Sequence, residues 1–311
     1  MKIGIPRALH TYTLGGAWEA FLGELGVEVI LSPPTTRPVL EAGIALGPRD
    51  LCLPLKAFFG HLEALRDGVD AVFVPRLVSV DPRRYYCPKF LALPDLAACV
   101  LPRERLVVAE VNAKKGPGFT RASYFRAARS LGAGEQQFER AWAALGEAER
   151  TARVRRRERY DAFPDAGGGS IRVGLMGHAY TVGDAHLSSH ILEWLGDRDV
   201  SVLTTDAVPE DVIEAVNPGL FRDIYWESAQ EIFRASLHLL KSGRVDGGVF
   251  VSAFGCGPDS FVGDLLSRRS REGPGFPFVH IVLDEHTART GLQTRLEAFL
   301  DMVTMKAGRT R

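Results

Sequence analysis

The sequence predicts an α/β protein made of two open parallel-sheet, Rossmann- or flavodoxin-like domains. Three observations predict it: short β-branched runs alternate with helical stretches, the first-half helices end at glycine stops, and the whole scheme occurs twice. In the first half the strands are "KIGIPR", "VEVILS", "DAVFVP" and "LVVAEV", separated by helical stretches such as "AWEAFLGELG" and "KAFFGHLEALRDG". In the second half "IRVGLMG", "SVLTTD", "VDGGVFVSAFG" and "FPFVHIVLDE" alternate with "SSHILEWLG", "AQEIFRASLHLLKSG" and "GLQTRLEAFLDMV". Two parallel sheets satisfy this order most economically.

The domain organisation follows. Residues 1–118 form an N-terminal α/β domain and 169–311 a C-terminal one. Between them, 119–168 reads as a helical segment, with Phe138, Trp142 and Leu145 at helical spacing, followed by the Gly-rich linker "PDAGGGS". The basic run "RVRRRERY" within it reads as a solvated helix face.

Composition narrows the partners. The 311 residues carry 38 Lys plus Arg against 38 Asp plus Glu, so no basic surplus points to nucleic acid or to an anionic membrane. No run reaches the roughly 18 apolar residues of a membrane span, and "MKIGIPR" is not a signal peptide. A cytoplasmic protein is expected. Four cysteines, Cys52, Cys87, Cys99 and Cys256, are too few for a disulfide framework in so long a chain.

In open parallel sheets ligands bind beyond the carboxyl ends of the strands, so the chemistry is sought in the loops that follow them. These loops are rich in His, Pro and hydroxyl residues: "PRALHTYTLGG", "PRLVSVDPRRYYCPK", "GHAYTVGDAH", "GCGPDS" and "DEHTARTG". A cleft between the two domains is the expected site. Three cysteines lie in such loops, each with a proline one or two positions later: Cys52-Leu-Pro54, Cys87-Pro88 and Cys256-Gly-Pro258. Rigid loops with free amides suit metal ligation. Cys99, in the apolar helical context "PDLAACVLP", is expected to be buried and inert.

Three scattered thiolates lack the paired knuckles of a zinc finger but suit a four-iron, four-sulfur cluster with one iron left open. A redox thiol pair, core residues, or zinc held by the three cysteines with His286 or His178 as fourth ligand remain open on the residues alone. Around them, Lys56 and Lys89 follow cysteines closely and could offset an anionic cluster or hold an acyl-CoA phosphate or carboxylate. His178, with Tyr180 in "GHAY", and Asp284, Glu285 and His286 in "DEH" lie at strand ends, where a carboxylate beside a histidine can serve proton transfer. Loop hydrogen bonding and helix capping are the competing reading for these, as capping is for Asp259 and core packing for His61. Arg289 and Arg295 could hold an anion.

The runs "IGIPRALHTY", "CLPLK", "VDAVFVPR", "YYCPKFLALPD", "GLMGHAY", "FGCGPDS" and "DEHTARTGLQTRLEAF", in this order, resemble the activase-related proteins of the 2-hydroxyacyl-CoA dehydratase superfamily. The resemblance implies a 4Fe-4S cluster protein, or half of a larger or shared cluster, with Cys52, Cys87 and Cys256 as the family cysteines. It also implies a separate ATP-hydrolysing activator protein with its own cluster as electron donor, an acyl-CoA or small-molecule substrate, and a homo- or heterodimer. The chain has neither a P-loop nor the glycine-rich phosphate loops of an actin-like ATPase, so it reads as the electron-accepting partner. Whether it is itself a dehydratase or reductase component, or a non-catalytic cluster carrier, stays open.

Overall fold

The computed structural model describes residues 1–164, 170–272, 275–306 and 308; the glycine run Gly167–Gly169, expected as a linker, lies outside them. The chain divides into two compact units, one of Met1–Ala152 with Ile224–Glu227, the other of Arg153–Asp223 with Ser228–Arg311. Both are mixed α/β with parallel sheets, as the alternation predicts.

The first unit contains β1 (Lys2–Ile5), α1 (Thr11–Glu24), β2 (Glu28–Leu31), α2 (Arg37–Leu46), α3 (Leu53–Leu65), β3 (Ala71–Phe73) and β4 (Arg76–Ser79). It continues with α4 (Pro88–Leu91), α5 (Leu93–Ala97), β5 (Leu106–Val107), β6 (Glu110–Asn112), α6 (Phe119–Ser130) and most of α7 (Glu135–Asp161). Its main sheet runs β2-β1-β3-β5, all parallel. After β1 the chain first adds a strand on one side and then on the other, so the loops leaving β1 and β3 part company and leave a crevice. The core sets Ile3, Ile5 and Phe73 of the sheet against Trp18, Phe21 and Leu22 of α1. Tyr124 of α6 and Phe138 and Leu145 of α7 complete it, Tyr124 meeting Phe21 edge to face at 5.0 Å. Each such aromatic contributes about 1.5–3 kcal/mol by leaving water.

Two local features differ from expectation. The run "LVVAEV" is not one strand, although Val107 accepts from the Val74 amide and Ala109 from the Arg76 amide. Regular pairing stops after Val107 and resumes as a separate β4–β6 pair, in a stretch read as loop. Helices α2 and α3 meet backbone to backbone, because a Cβ on Gly43 would overlap the Lys56 carbonyl and one on Gly60 the Val39 carbonyl.

The second unit contains β7 (Arg172–Met176), α8 (Ala179–Val182), α9 (Ile191–Gly196), β8 (Ser201–Thr204), α10 (Glu210–Ala215) and α11 (Glu227–Lys241, whose first residue belongs to the other unit). Then come β9 (Gly247–Ala253), α12 (Gly257–Arg269), β10 (Phe278–Leu283) and α13 (Arg289–Lys306). The parallel sheet runs β10-β9-β7-β8, with Leu175 paired to Thr204 on one side and to Val249 on the other. β7 and β9 are buried along their whole length. The reversal of strand order falls between them, so the crevice of this sheet opens above β7 and β9.

The basic run at the end of α7 is not merely solvated. Arg156 donates to the Val208 carbonyl at 2.6 Å and pairs with Glu231 at 3.0 Å, Arg157 pairs with Asp211, and Arg159 pairs with Asp206 at 3.2 Å. Arg156, Arg157 and Arg159 are thus paired within the unit. Among the described residues no helix is long and apolar enough to cross a membrane.

Candidate functional site

The three loop cysteines share one structural position. Cys52 is the N-cap of α3, Cys87 of α4 and Cys256 of α12, each extended in backbone and each followed by proline in the first turn. Proline presets the helical φ where a missing amide costs nothing. An N-cap side chain faces the unpaired amides of the first turn, where the positive end of the helix favours a thiolate over a thiol. All three are half-buried, and none of the four cysteines is in a disulfide. Cys99 corrects the expectation of a buried residue: the short α5 turns Ala97 inward and leaves Cys99 exposed, its thiol towards the Asp95 carbonyl at 3.6 Å.

In the first unit, burial pushes the Cys87 thiol above its ordinary range; the amides of Phe90 and Lys89 pull the other way, and a Cys52 thiolate close by pushes it further up. The Lys89 ammonium also acts to lower it, so this lysine is near enough to offset anionic charge. Lys56 is nearly buried, 7% exposed, one turn into α3. A small apolar cavity lies at the crevice of this sheet, lined by Pro6, His10, Trp18, Val74 and Phe90 among others. His10, which the sequence did not single out, caps α1 and packs its ring on Tyr86 at 5.2 Å and Phe90 at 4.7 Å, on either side of Cys87 in sequence. His61 is a satisfied core histidine, held by Ser32 at 2.9 Å and Thr35 at 3.0 Å.

In the second unit His178 lies just past β7 and Cys256 just past β9. Because these strands are neighbours, the sheet brings the two loops together across 78 residues of sequence. Gly177 makes this close approach workable: its φ is +148°, and a Cβ there would stand 2.5 Å from the Val251 carbonyl. Thr205 clamps the same glycine, donating to its carbonyl at 2.7 Å and accepting from its amide at 3.2 Å. His178 is then stacked on Tyr180, with centroids 4.6 Å apart, and hydrogen-bonds through Nε2 to Asp259 Oδ1 at 2.9 Å. The histidine is 8% exposed and the carboxylate 2%. One ligand atom each from His178, Cys256 and Asp259 lie within 4.8 Å of one another, the one such group among the described residues.

Helix α12, which carries Cys256 and Asp259, sits tight on the sheet, since a Cβ on Gly263 would overlap the His280 ring. His280 bonds Ser252 at 2.8 Å; burial pushes its pKa down, against the attraction of Asp259, and Arg295 pushes it down as well.

The remaining expected residues stand apart from this group. Asp284 accepts from the His286 amide at 3.0 Å and the Thr287 hydroxyl at 2.8 Å, closing the turn before α13. Glu285 is half-buried, and His286 and Arg289 are exposed. Arg295 donates to the His280 carbonyl at 2.7 Å.

Fold and site together define an α/β protein of two parallel-sheet units with cysteines at helix N-termini and a His-Cys-Asp group able to hold a metal. The chain belongs to the family described as CoA enzyme activase uncharacterised domain (DUF2229), whose model matches residues 2–208. No curated protein matches it. Among solved structures it is similar to the SBP FpvC from Pseudomonas aeruginosa in complex with Mn2+, at 14% identity and TM-score 0.30 over 97% of this chain and 99% of that one. A FpvC mutant from the same organism gives 15% and 0.25 over 97% and 100%. Scores this low carry no argument about fold or function.

Proposed function

We propose that the chain is an iron-sulfur protein of the 2-hydroxyacyl-CoA dehydratase type, in which Cys52, Cys87 and Cys256 supply three thiolates to a 4Fe-4S cluster. The observation that carries the reading is the repeated placement of these cysteines at the N-cap of a proline-started helix. Such a position supplies what an anionic cluster needs: a fixed thiolate, first-turn amides and the positive end of a helix. When bound, the cluster would supply low-potential electron transfer and an open iron. The residues of this chain hold and tune it: Lys89 offsets charge beside Cys87, and His178, anchored by Asp259, stands beside Cys256.

On this reading a separate ATP-hydrolysing activator delivers the electron, and an acyl-CoA or another small molecule is the substrate. The chain works as a homo- or heterodimer. A non-catalytic cluster carrier is the same chemistry without a substrate at the open iron.

The test is anaerobic purification with iron, acid-labile sulfide and zinc quantified, and spin-resonance spectra taken before and after reduction. About four irons and four sulfides per chain are expected, lost in Cys52→Ser, Cys87→Ser and Cys256→Ser and retained in Cys99→Ser. Absence of iron and sulfide after attempted reconstitution overturns the reading.

A further inference from the structure

We infer that the second unit holds a single divalent transition-metal ion at Cys256, His178 and Asp259 whenever no cluster occupies Cys256. This goes beyond the cluster reading and shares with it only the one thiol. It draws on neither Cys52 nor Cys87.

The donor set points to the ion. One thiolate, one imidazole and one carboxylate match zinc and its neighbours rather than magnesium or calcium, which take oxygen alone. Zinc bonds of about 2.0–2.3 Å at tetrahedral angles put ligand atoms about 3.3–3.7 Å apart. Here the three lie within 4.8 Å; His178 Nε2 and Asp259 Oδ1, now hydrogen-bonded at 2.9 Å, give up the shared proton to solvent and separate by about 0.5 Å as the ion enters. Small side-chain adjustments therefore bring all three onto one ion.

Two of the donors are also preorganised. The His178 ring is fixed by Tyr180 stacking and by the Gly177 clamp, and Asp259 is locked in the first turn of a helix pressed against His280. Both are buried, whereas Cys256 is half-buried and gives the ion its way in. Three protein ligands leave a fourth position for water or an anionic ligand, the arrangement of an open rather than a closed zinc site.

Because Cys256 cannot serve ion and cluster together, a bound ion would keep the chain out of the electron-accepting state. The test uses the full chain, cluster-free and reduced, titrated with Co2+ as a coloured substitute for Zn2+. One equivalent should bind, with thiolate-to-cobalt absorption and the visible bands of a tetrahedral ion. The Cys52→Ser/Cys87→Ser double variant should bind it unchanged, and His178→Gln and Cys256→Ser at least about 100-fold more weakly.

Circular dichroism of each variant confirms that it is folded; the half-buried Cys256→Ser carries the test if His178→Gln is not. Loss of binding in the double variant, or unchanged binding in folded His178→Gln or Cys256→Ser, overturns the inference. Failure of the cluster reading shows separately, as absence of iron and sulfide from the anaerobically prepared chain while cobalt still binds.

Discussion

Replacing Gly177 by alanine tests how the backbone holds His178 in place. The glycine has φ of +148°, and a Cβ would stand 2.5 Å from the Val251 carbonyl and 3.1 Å from a Val182 methyl. A non-glycine residue at such a φ costs about 1–3 kcal/mol, and pushing a methyl against fixed backbone adds about 1–3 kcal/mol. The sum, about 2–6 kcal/mol, corresponds to a fall of about 4–24 °C in the midpoint of a unit of this size. Differential scanning calorimetry reads it. Gly196→Ala is the control, because nothing lies within 4 Å of that position and α9 should gain a few tenths of a kcal/mol from the better helix former. Gly177→Ala should also weaken cobalt binding, since strand β7 can relieve the clash only by carrying His178 away from Asp259. A midpoint within about 2 °C of the parent's, with binding intact, would refute the claim that this crossing positions the histidine.

Three further outcomes follow from particular contacts. Gly60→Ala should cost at least about 1–3 kcal/mol in denaturant unfolding, because the new methyl overlaps the Val39 carbonyl, whereas Gly16→Ala, with open space around it, should be neutral or stabilising. Alkylation of Cys87 in the metal-free chain should be slow at neutral pH and still climbing above about pH 8.5, the ordinary thiol value, because burial raises its pKa; a rate that levels off below that pH contradicts this. His238 has its pKa pushed down by burial and by Arg244 while its Nε2 lies 2.7 Å from the Tyr160 hydroxyl. The folded chain then holds this proton less well than the unfolded one. The contribution is complete above about pH 6.5, the ordinary histidine value, and is lost as pH falls through the lower folded value. Unfolding midpoints between pH 8 and 5 should drop less steeply in His238→Gln, and an unchanged slope would remove His238 from the account.

The strands of both main sheets were legible because parallel strands covered on both faces read as apolar runs, as β7 and β9 do. The β4–β6 pair was not, since "RLVS" between prolines reads as loop. The cysteines could be found from their proline neighbours, but Asp259 could not. Three residues after Cys256 it has the signature of a first-turn capping carboxylate, and its partner His178 lies 81 residues away in sequence. Only the strand order β10-β9-β7-β8 makes those loops neighbours. Asp284 shows the converse: "DEH" at a strand end looks like an oriented histidine, yet the carboxylate is taken by the His286 amide and the Thr287 hydroxyl. Turn closure and proton chemistry use the same residue types, and spacing alone does not separate them.

The three N-caps are alike in sequence but not in physics. α3 and α12 each run 13 residues, so Cys52 and Cys256 face the summed dipoles of more than three turns. α4 has four residues and offers Cys87 little beyond the amides of Lys89 and Phe90. There burial wins over the helix end and the thiol is pushed up, so a metal taken up at Cys87 would have to displace a proton against the protein's own preference. Lys89 lies in the single turn of α4, and its ammonium acts to lower the Cys87 pKa. That charge would offset a Cys87 thiolate in a metal-loaded chain, which burial alone disfavours.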